Sequence, residues 1–159
     1  MDITWLGGPV KVLYYRLDLF SRKAVGWEVW ETEEAKHVET LVKKVAISEK
    51  IQGAPLVLHS DNGSPMKAKT FLSLLEKLGI QSFFSRPRVR NDNPYSEAMF
   101  RTLKYLPDFP HKGFESLEEA RKWAQQFVHW YNEIHLHRGL NFVTPVQFHT
   151  GEHVAILEK

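Results

Sequence analysis

Cysteine is absent from all 159 residues. That excludes disulfides, a thiolate nucleophile and any cysteine-ligated zinc site, and it is compatible with a reducing cytoplasm. No apolar run reaches the length of a membrane-spanning helix. No signal-peptide pattern follows Met1. A glycine-rich phosphate loop is missing, which leaves nucleotide hydrolysis without support, and so is the HExxH pattern of metalloproteases. Internal repeats and low-complexity tracts are also lacking.

What the chain does have is a globular composition. A hydrophobic share of 43% against 25% charged residues is close to the norm for packed domains and argues against wholesale disorder. The length suits a single domain with a sizeable core. Eight histidines stand against a net charge of only +2, so the net positive charge climbs quickly below neutral pH.

Residue periodicity predicts the elements in order. Met1–Leu6 reads as a short strand, closed by Gly7-Gly8-Pro9. Val10–Phe20, rich in β-formers, and Ala24–Trp30 follow as strands joined by Ser21-Arg22-Lys23. Val25, Trp27 and Val29 are expected on one face of the second of these. Short turns imply an antiparallel meander. Glu33–Glu49 switches to helical spacing, with Thr32 as candidate cap. Pro55–Ser60 is a buried strand, Ala68–Leu78 a helix ended by Gly79, and Ile80–Phe84 a strand. Ser116–Ile134 is the longest helix, opened by a capping box of Ser116 with Glu119. Its apolar stripe runs through Leu117, Ala120, Ala124, Phe127, Tyr131 and Ile134. The tail carries at most a short helix after Pro145. This order predicts an α/β fold with one mixed five-stranded sheet: a three-strand meander plus two parallel strands reached through helices.

Ser85–Lys104, SRPRVRNDNPYSEAMFRTLK, organises the rest. Arg86, Arg88 and Arg90 alternate along a loop. Asn93 is a candidate cap and Pro94 fits the first helical position. Glu97, Arg101 and Lys104 then share one helix face, with Met99, Leu103 and Leu106 roughly opposite. Five basic residues against two acidic ones concentrate positive charge here, as on a surface that grips phosphates. An exposed Glu–Arg pair on a solvated helix is the plainer reading of the same residues.

Asp61 ends the apolar strand PLVLHS and precedes Asn62-Gly63. It can serve as a turn residue or as one of a set of carboxylates. Asp2 on the first strand and Glu97 on the helix are the other members of that set, with Asp18 a rival for the first position. Thirty-five residues lie between Asp61 and Glu97. In open α/β sheets, sites form where strands end and their order switches, and these three acids can converge there. His129, His135 and His137 are a weaker zinc candidate. Trp123 and Trp130 have the spacing of core residues rather than of a base-stacking platform.

DITWL at Asp2–Leu6, YYRLDLFSRKAVGWEV at Tyr14–Val29, LHSDNGSPM at Leu58–Met66 and SRPRVRNDNPYSEAMFRTLKY at Ser85–Tyr105 resemble insertion-sequence transposases of the retroviral-integrase superfamily. FVHWYNEIHLHRGLNFVTP at Phe127–Pro145 looks like that family's closing segment. The resemblance implies a ribonuclease-H-like fold, with residues 1–135 as the catalytic core and 136–159 as a tail of the same domain. It places Asp2, Asp61 and Glu97 on the three family carboxylates and leaves Asp18 outside. Arg101 and Lys104 match basic positions that contact transposon-end DNA, and Arg86, Arg88 and Arg90 are expected to join them.

By the same resemblance the protein is a polynucleotidyl transferase that cleaves DNA and transfers strands. It would use Mg²⁺, with Mn²⁺ as substitute, as two ions held by Asp2, Asp61 and Glu97. It would act as a homo-oligomer on transposon-end and target DNA, in a bacterial cytoplasm and away from membranes. Two oxygen-ligated ions about 4 Å apart can activate the nucleophile and neutralise the leaving oxygen, and Mg²⁺ needs few protein carboxylates because it keeps waters. Family members run on upstream through a helix-turn-helix region, so by this resemblance the chain looks like an excised core or the product of a truncated gene. A core that only binds nucleic acid, and a nuclease acting on RNA–DNA hybrids, are the alternative readings.

Overall fold

The computed structural model describes residues 2–6, 12–51, 55–60, 62–85 and 94–158, and of Asp2, Ile3, Trp5, Val12, Tyr14, Tyr15 and Arg16 the backbone alone. Alternating β-formers produce the first sheet. Strand β1 (Asp2–Trp5) pairs antiparallel with β2 (Val12–Leu17), and β2 pairs antiparallel with β3 (Ala24–Trp30). The meander therefore forms as the short connections require.

Strand β2 stops at Leu17, three residues short of the expected Phe20. Asp18 is the cause. Its carboxylate accepts the amides of Phe20 and Ser21 at 3.2 and 3.3 Å and turns the chain. A second departure lies opposite. The β2–β3 register slips between Arg16 and Leu17, where Arg16 faces Gly26 but Leu17 faces Ala24. One extra residue on one strand reverses the inside–outside phase. Ala24, Trp27 and Val29 thus join one core while Val25 packs against another, and the single face expected for Val25, Trp27 and Val29 is corrected accordingly.

The helices fall close to their periodic patterns. Helix α1 (Ala35–Ser48) buries Val38, Leu41, Val42 and Val45. Its N-cap is Glu34 rather than Thr32, and the Thr32 hydroxyl instead donates to the Glu34 carboxylate at 2.6 Å. Strand β4 (Leu56–Ser60) is followed by a 3-10 turn at Ser64–Lys67 and by α2 (Lys69–Lys77). Gly79 takes the left-handed φ of 69° that ends α2. It leads into β5 (Ile80–Phe84), which pairs parallel with β4. Then come α3 (Pro94–Lys104), α4 (Leu117–Glu133), a 3-10 turn at Arg138–Leu140, α5 (Pro145–His149) and α6 (His153–Leu157).

The cap of α4 is half as expected. Ser116 Oγ accepts the Glu119 amide at 3.1 Å. Glu119 returns its carboxylate to the amide of Glu115 at 2.9 Å, one residue before the position a capping box uses. The full reciprocal box occurs at Thr144 and Gln147, at the head of α5. Ile134 ends α4 57% exposed and so leaves the predicted stripe.

Two cores result. Leu13, Val29, Met99, Leu103, Phe114, Ala120, Ala124 and Phe127 fill the space between the meander, α3 and α4. Val38, Leu41, Val42, Met66, Phe71, Leu75 and Ile80 fill that between α1, α2, β4 and β5. Helix α1 presses so closely on β3 that a Cβ at Gly26 would run into Val45 Cγ2 and stand 3.0 Å from Leu41 Cδ1. A buried amide clasps the other face: Asn132 of α4 accepts the Ala24 amide at 2.8 Å and donates to its carbonyl at 3.0 Å.

The strands stand in two sets, β1-β2-β3 and β4-β5, rather than in one five-stranded sheet among the described residues. Among the described residues the β1 ladder begins at the Asp2–Tyr15 pair, and Arg16 and Leu17 pair with β3. A cavity of about 480 Å³, lined by Leu17, Val25, Val45, Leu56 and Leu58, lies between the end of β2 and β4.

Candidate functional site

Helix α3 carries the charged stripe. Pro94 is its first residue, Glu97 lies in its first turn, and Arg101 and Lys104 lie in its last. That order complements the helix dipole, which favours acid near the amino end and base near the carboxyl end. Glu97, Arg101 and Lys104 are all exposed, whereas Ser96, Met99 and Leu103 are buried. The apolar face therefore holds the helix to the core and turns the acid and the two bases outward together. Leu106 lies just past the helix end and packs against the same core.

The ends of the parallel strands are tied to each other. Ser60 pairs in register with Phe84. The Ser85 amide donates to the Ser60 carbonyl at 3.0 Å, and the Asn62 side-chain amide donates to the Ser85 carbonyl. These bonds bracket position 61 and fix the point from which segment 86–93 departs. Asp61 itself lies outside the described residues, as do Arg86, Arg88, Arg90 and the candidate cap Asn93. Asp2 is placed in β1 opposite Tyr15 by its backbone only. Of the expected acid triad, the side chain of Glu97 alone is described. Among the described residues no three His, Cys, Asp or Glu side chains form a group able to hold a metal ion.

Asp18, the rival acid, has a different occupation. Burial pushes its carboxyl up, but hydrogen bonds from the Ser21 hydroxyl, the Phe20 and Ser21 amides and His149 outweigh it, so it sits below its ordinary 3.8. Arg22, four residues on, contributes its amide to the Asp18 carbonyl at 2.8 Å. His149 joins this group from α5. Its Nδ1 lies 3.0 Å from Ser21 Oγ and its Nε2 3.1 Å from Glu49. A serine beside a histidine beside a carboxylate has the outline of a nucleophilic triad. The Ser21 side is closed, however: the residue is 0% exposed, and its hydroxyl donates to Asp18 at 2.6 Å. The cluster fastens α5 to the β2–β3 turn and to the end of α1.

Trp123, Trp130, His135 and His137 serve packing, whereas His129 is exposed. Trp123 stacks on Phe127 at 5.6 Å and donates to the Asp108 carbonyl at 3.3 Å. Trp130 packs beside it against the first core. His137 Nδ1 accepts the Gly139 amide at 3.1 Å. Burial pulls the His135 and His137 imidazoles below their ordinary 6.5, and burial does the same to His37, which stacks on Trp30 at 4.1 Å.

Below pH 6.5 the unfolded chain protonates these three histidines before the folded chain does, so the unfolded state binds more protons. Their contribution to stability is complete above 6.5 and is lost as pH falls toward the lower folded values. Asp18 adds a further loss as pH falls below 3.8. Melting temperatures measured by circular dichroism should decline steadily from pH 7 to pH 5. A flat or rising profile over that interval would contradict the assignment.

Sequence reading missed Arg22 and Tyr95 here. The Arg22 guanidinium lies over the Tyr95 ring, with Cζ 3.5 Å from its centroid. The only local signal was the polar connection Ser21-Arg22-Lys23.

Comparison with known proteins supplies what local geometry does not. Two family models, each described as an integrase core domain, match residues 1–89 and 78–145. The transposase for insertion sequence element IS904 of Lactococcus lactis is 31% identical over 151 residues, covering 92% of this chain and 58% of that protein. The putative transposase InsK for insertion sequence element IS150 of Escherichia coli is 25% identical, covering 92% of this chain and 52% of that protein. The chain thus spans between half and three fifths of these relatives. Among solved structures, the catalytic core domain of BIV integrase superposes with a TM-score of 0.68 at 20% identity, over 98% of this chain and 96% of that one. The HTLV-2 integrase catalytic core domain, solved in complex with magnesium in a trimeric form, gives a TM-score of 0.64 at 18% identity, over 93% and 92%. At those identities the likeness is one of fold, and the fold is the ribonuclease-H-like α/β arrangement.

Proposed function

Because the chain belongs to the integrase core domain family, we propose that it is the catalytic core of an insertion-sequence transposase, cleaving DNA at element ends and joining it to a target. The observation that carries this reading is the outward stripe of α3: an exposed acid, Glu97, followed on the same face by Arg101 and Lys104. An acid that must share a phosphate with bases belongs on such a face. Asp2 on β1, Asp61 after β4 and Glu97 would hold the metal. The donor set is all oxygen, and the Glu97 carboxylate is open to water, which suits an ion that keeps part of its hydration shell.

Bound Mg²⁺ would supply Lewis-acid polarisation of the phosphodiester and an activated nucleophilic oxygen. The chain's own residues do the rest. Asp2, Asp61 and Glu97 neutralise the ions and fix where the scissile phosphate can lie. Arg86, Arg88, Arg90, Arg101 and Lys104 neutralise flanking phosphates, which orients the duplex without reading its sequence. Assembly as an oligomer on paired DNA ends belongs to the same proposal.

The DNA half of this reading has its own test. Duplex affinity should fall with salt as counterions are released. Arg101→Ala and Lys104→Ala should each flatten the slope of log affinity against log salt by about one unit. Affinities read by fluorescence anisotropy across a salt series decide it. An unchanged slope in both variants would remove α3 from the interface.

A further inference from the structure

We infer that Arg22 is a positioning residue: by clamping the Tyr95 ring from the β2–β3 turn, it sets the first turn of α3 and with it the place of Glu97. The inference rests on the proposed role of Glu97 and adds a residue to it.

The turn that bears Arg22 is rigid. Asp18 and Lys23 close it with an amide-to-carbonyl bond of 2.9 Å, and the Arg22 amide returns to the Asp18 carbonyl at 2.8 Å. The buried Ser21 hydroxyl and the Asp18 carboxylate lock its interior. Within it Arg22 holds a φ of 61°. That left-handed conformation is uncommon for a residue with a side chain and persists only where surrounding bonds over-determine it. The guanidinium donates to the Leu19 carbonyl, so its plane is fixed before it meets the ring. A cation so placed is drawn to the ring's negative face.

Helix α3 needs such a hold. Tyr95 is its second residue, and Glu97 lies two residues on, roughly on the other side of the helix. A cavity of about 120 Å³ lies behind the helix, lined by Arg22, Tyr95, Ala98, Thr102, Tyr131 and His137. Side-chain packing therefore does not fill the space under this end. Ser96, Met99 and Leu103 bury one face of the helix, with Phe100 packed against the same core, while Tyr95 stands 44% exposed at its amino end, where the contact with Arg22 adds a hold on the first turn. The Arg22–Tyr95 pair spans the gap at the required place.

Arg22→Gly separates the two properties of this residue. Glycine accepts a φ of 61° without strain, so the variant should keep a melting temperature within a few degrees of wild type while losing the clamp. Tyr95→Phe keeps the ring and should behave as wild type, whereas Tyr95→Leu removes it. Amide hydrogen exchange of the metal-free protein, read at Ala98–Arg101, should accelerate about tenfold in Arg22→Gly and in Tyr95→Leu, and no further in the double variant. The Mn²⁺ concentration giving half-maximal binding by calorimetry should rise by about tenfold in the same variants, as for other residues that orient ligands. Arg22→Lys, which keeps the charge but not the plane, should recover part of both.

Wild-type exchange and Mn²⁺ affinity in Arg22→Gly would overturn the clamp, as would additive effects in the double variant or an equal loss in Tyr95→Phe. Accelerated exchange with unaltered Mn²⁺ affinity would limit Arg22 to anchoring the helix and overturn its role at the site. Wild-type Mn²⁺ affinity and nicking in Glu97→Gln would instead overturn the underlying reading of Glu97, whatever the exchange data show.

Discussion

Glu97→Gln should slow metal-dependent nicking of a duplex by at least about a hundredfold, while duplex affinity stays within a few-fold of wild type. Residues that merely orient a metal ligand cost about 10–100-fold in affinity or activity when changed, so the ligand itself should reach the upper end. Glutamine keeps the shape and hydrogen-bonding reach of the side chain but cannot carry its charge. Glu97 is exposed, so the fold should lose no more than about 0.5 kcal/mol, much of it through the first-turn charge that favours the helix dipole. A folded variant that still binds DNA and no longer nicks it would isolate chemistry from binding. Nicking at the wild-type rate would remove Glu97 from the reaction.

The largest effect on stability is expected from Phe71→Ala, at about 3–5 kcal/mol. Phe71 lies in α2, is 0% exposed, and is among the largest fully buried side chains. It packs in the core that joins α1 and α2 to β4 and β5. Alanine there leaves a void that rigid neighbours cannot close. Total stabilities of single domains are about 5–15 kcal/mol, so the loss would be a large fraction of the whole. It would also loosen β4, whose end carries the Ser60 and Asn62 bonds around position 61. Tyr105→Ala is the control: Tyr105 is 81% exposed, and its truncation should stay within about 0.5 kcal/mol. Urea unfolding of the two variants gives the comparison. Equal midpoints would mean that the second core is not the cooperative unit described.

Much of this architecture was legible because it is local. Ile80–Phe84 and Pro94 at the head of α3 stand where alternation and proline chemistry put them. The opposition of Glu97, Arg101 and Lys104 to Met99 and Leu103 follows from helical spacing alone. The misreadings came from partners far along the chain or from competition at turns. Val25 changed sides because the register slips against Arg16 and Leu17, and no period-two pattern announces a slip. Asn132 clasps Ala24 from 108 residues away, and His149 reaches Asp18 from 131. Thr32 is a good cap by type, yet its hydroxyl is taken by Glu34.

The candidate site was legible in another way. Glu97 and its two bases are written in one helix, whereas the proposed convergence of Asp2 and Asp61 on them rests on strand order and on the resemblance of ordered blocks. The expected single sheet would join β4 and β5 to the meander. The described residues instead place a cavity between the β2 end and β4, and sequence alternation does not reveal which strand edges meet.

The central claim is that Asp2, Asp61 and Glu97 share divalent ions in one pocket. A crystal soaked in Mn²⁺, measured at the manganese absorption edge, tests it directly. The account predicts anomalous peaks about 2.0–2.2 Å from oxygens of all three side chains. Manganese at any other group, with one of the three acids turned away from its companions, would contradict it.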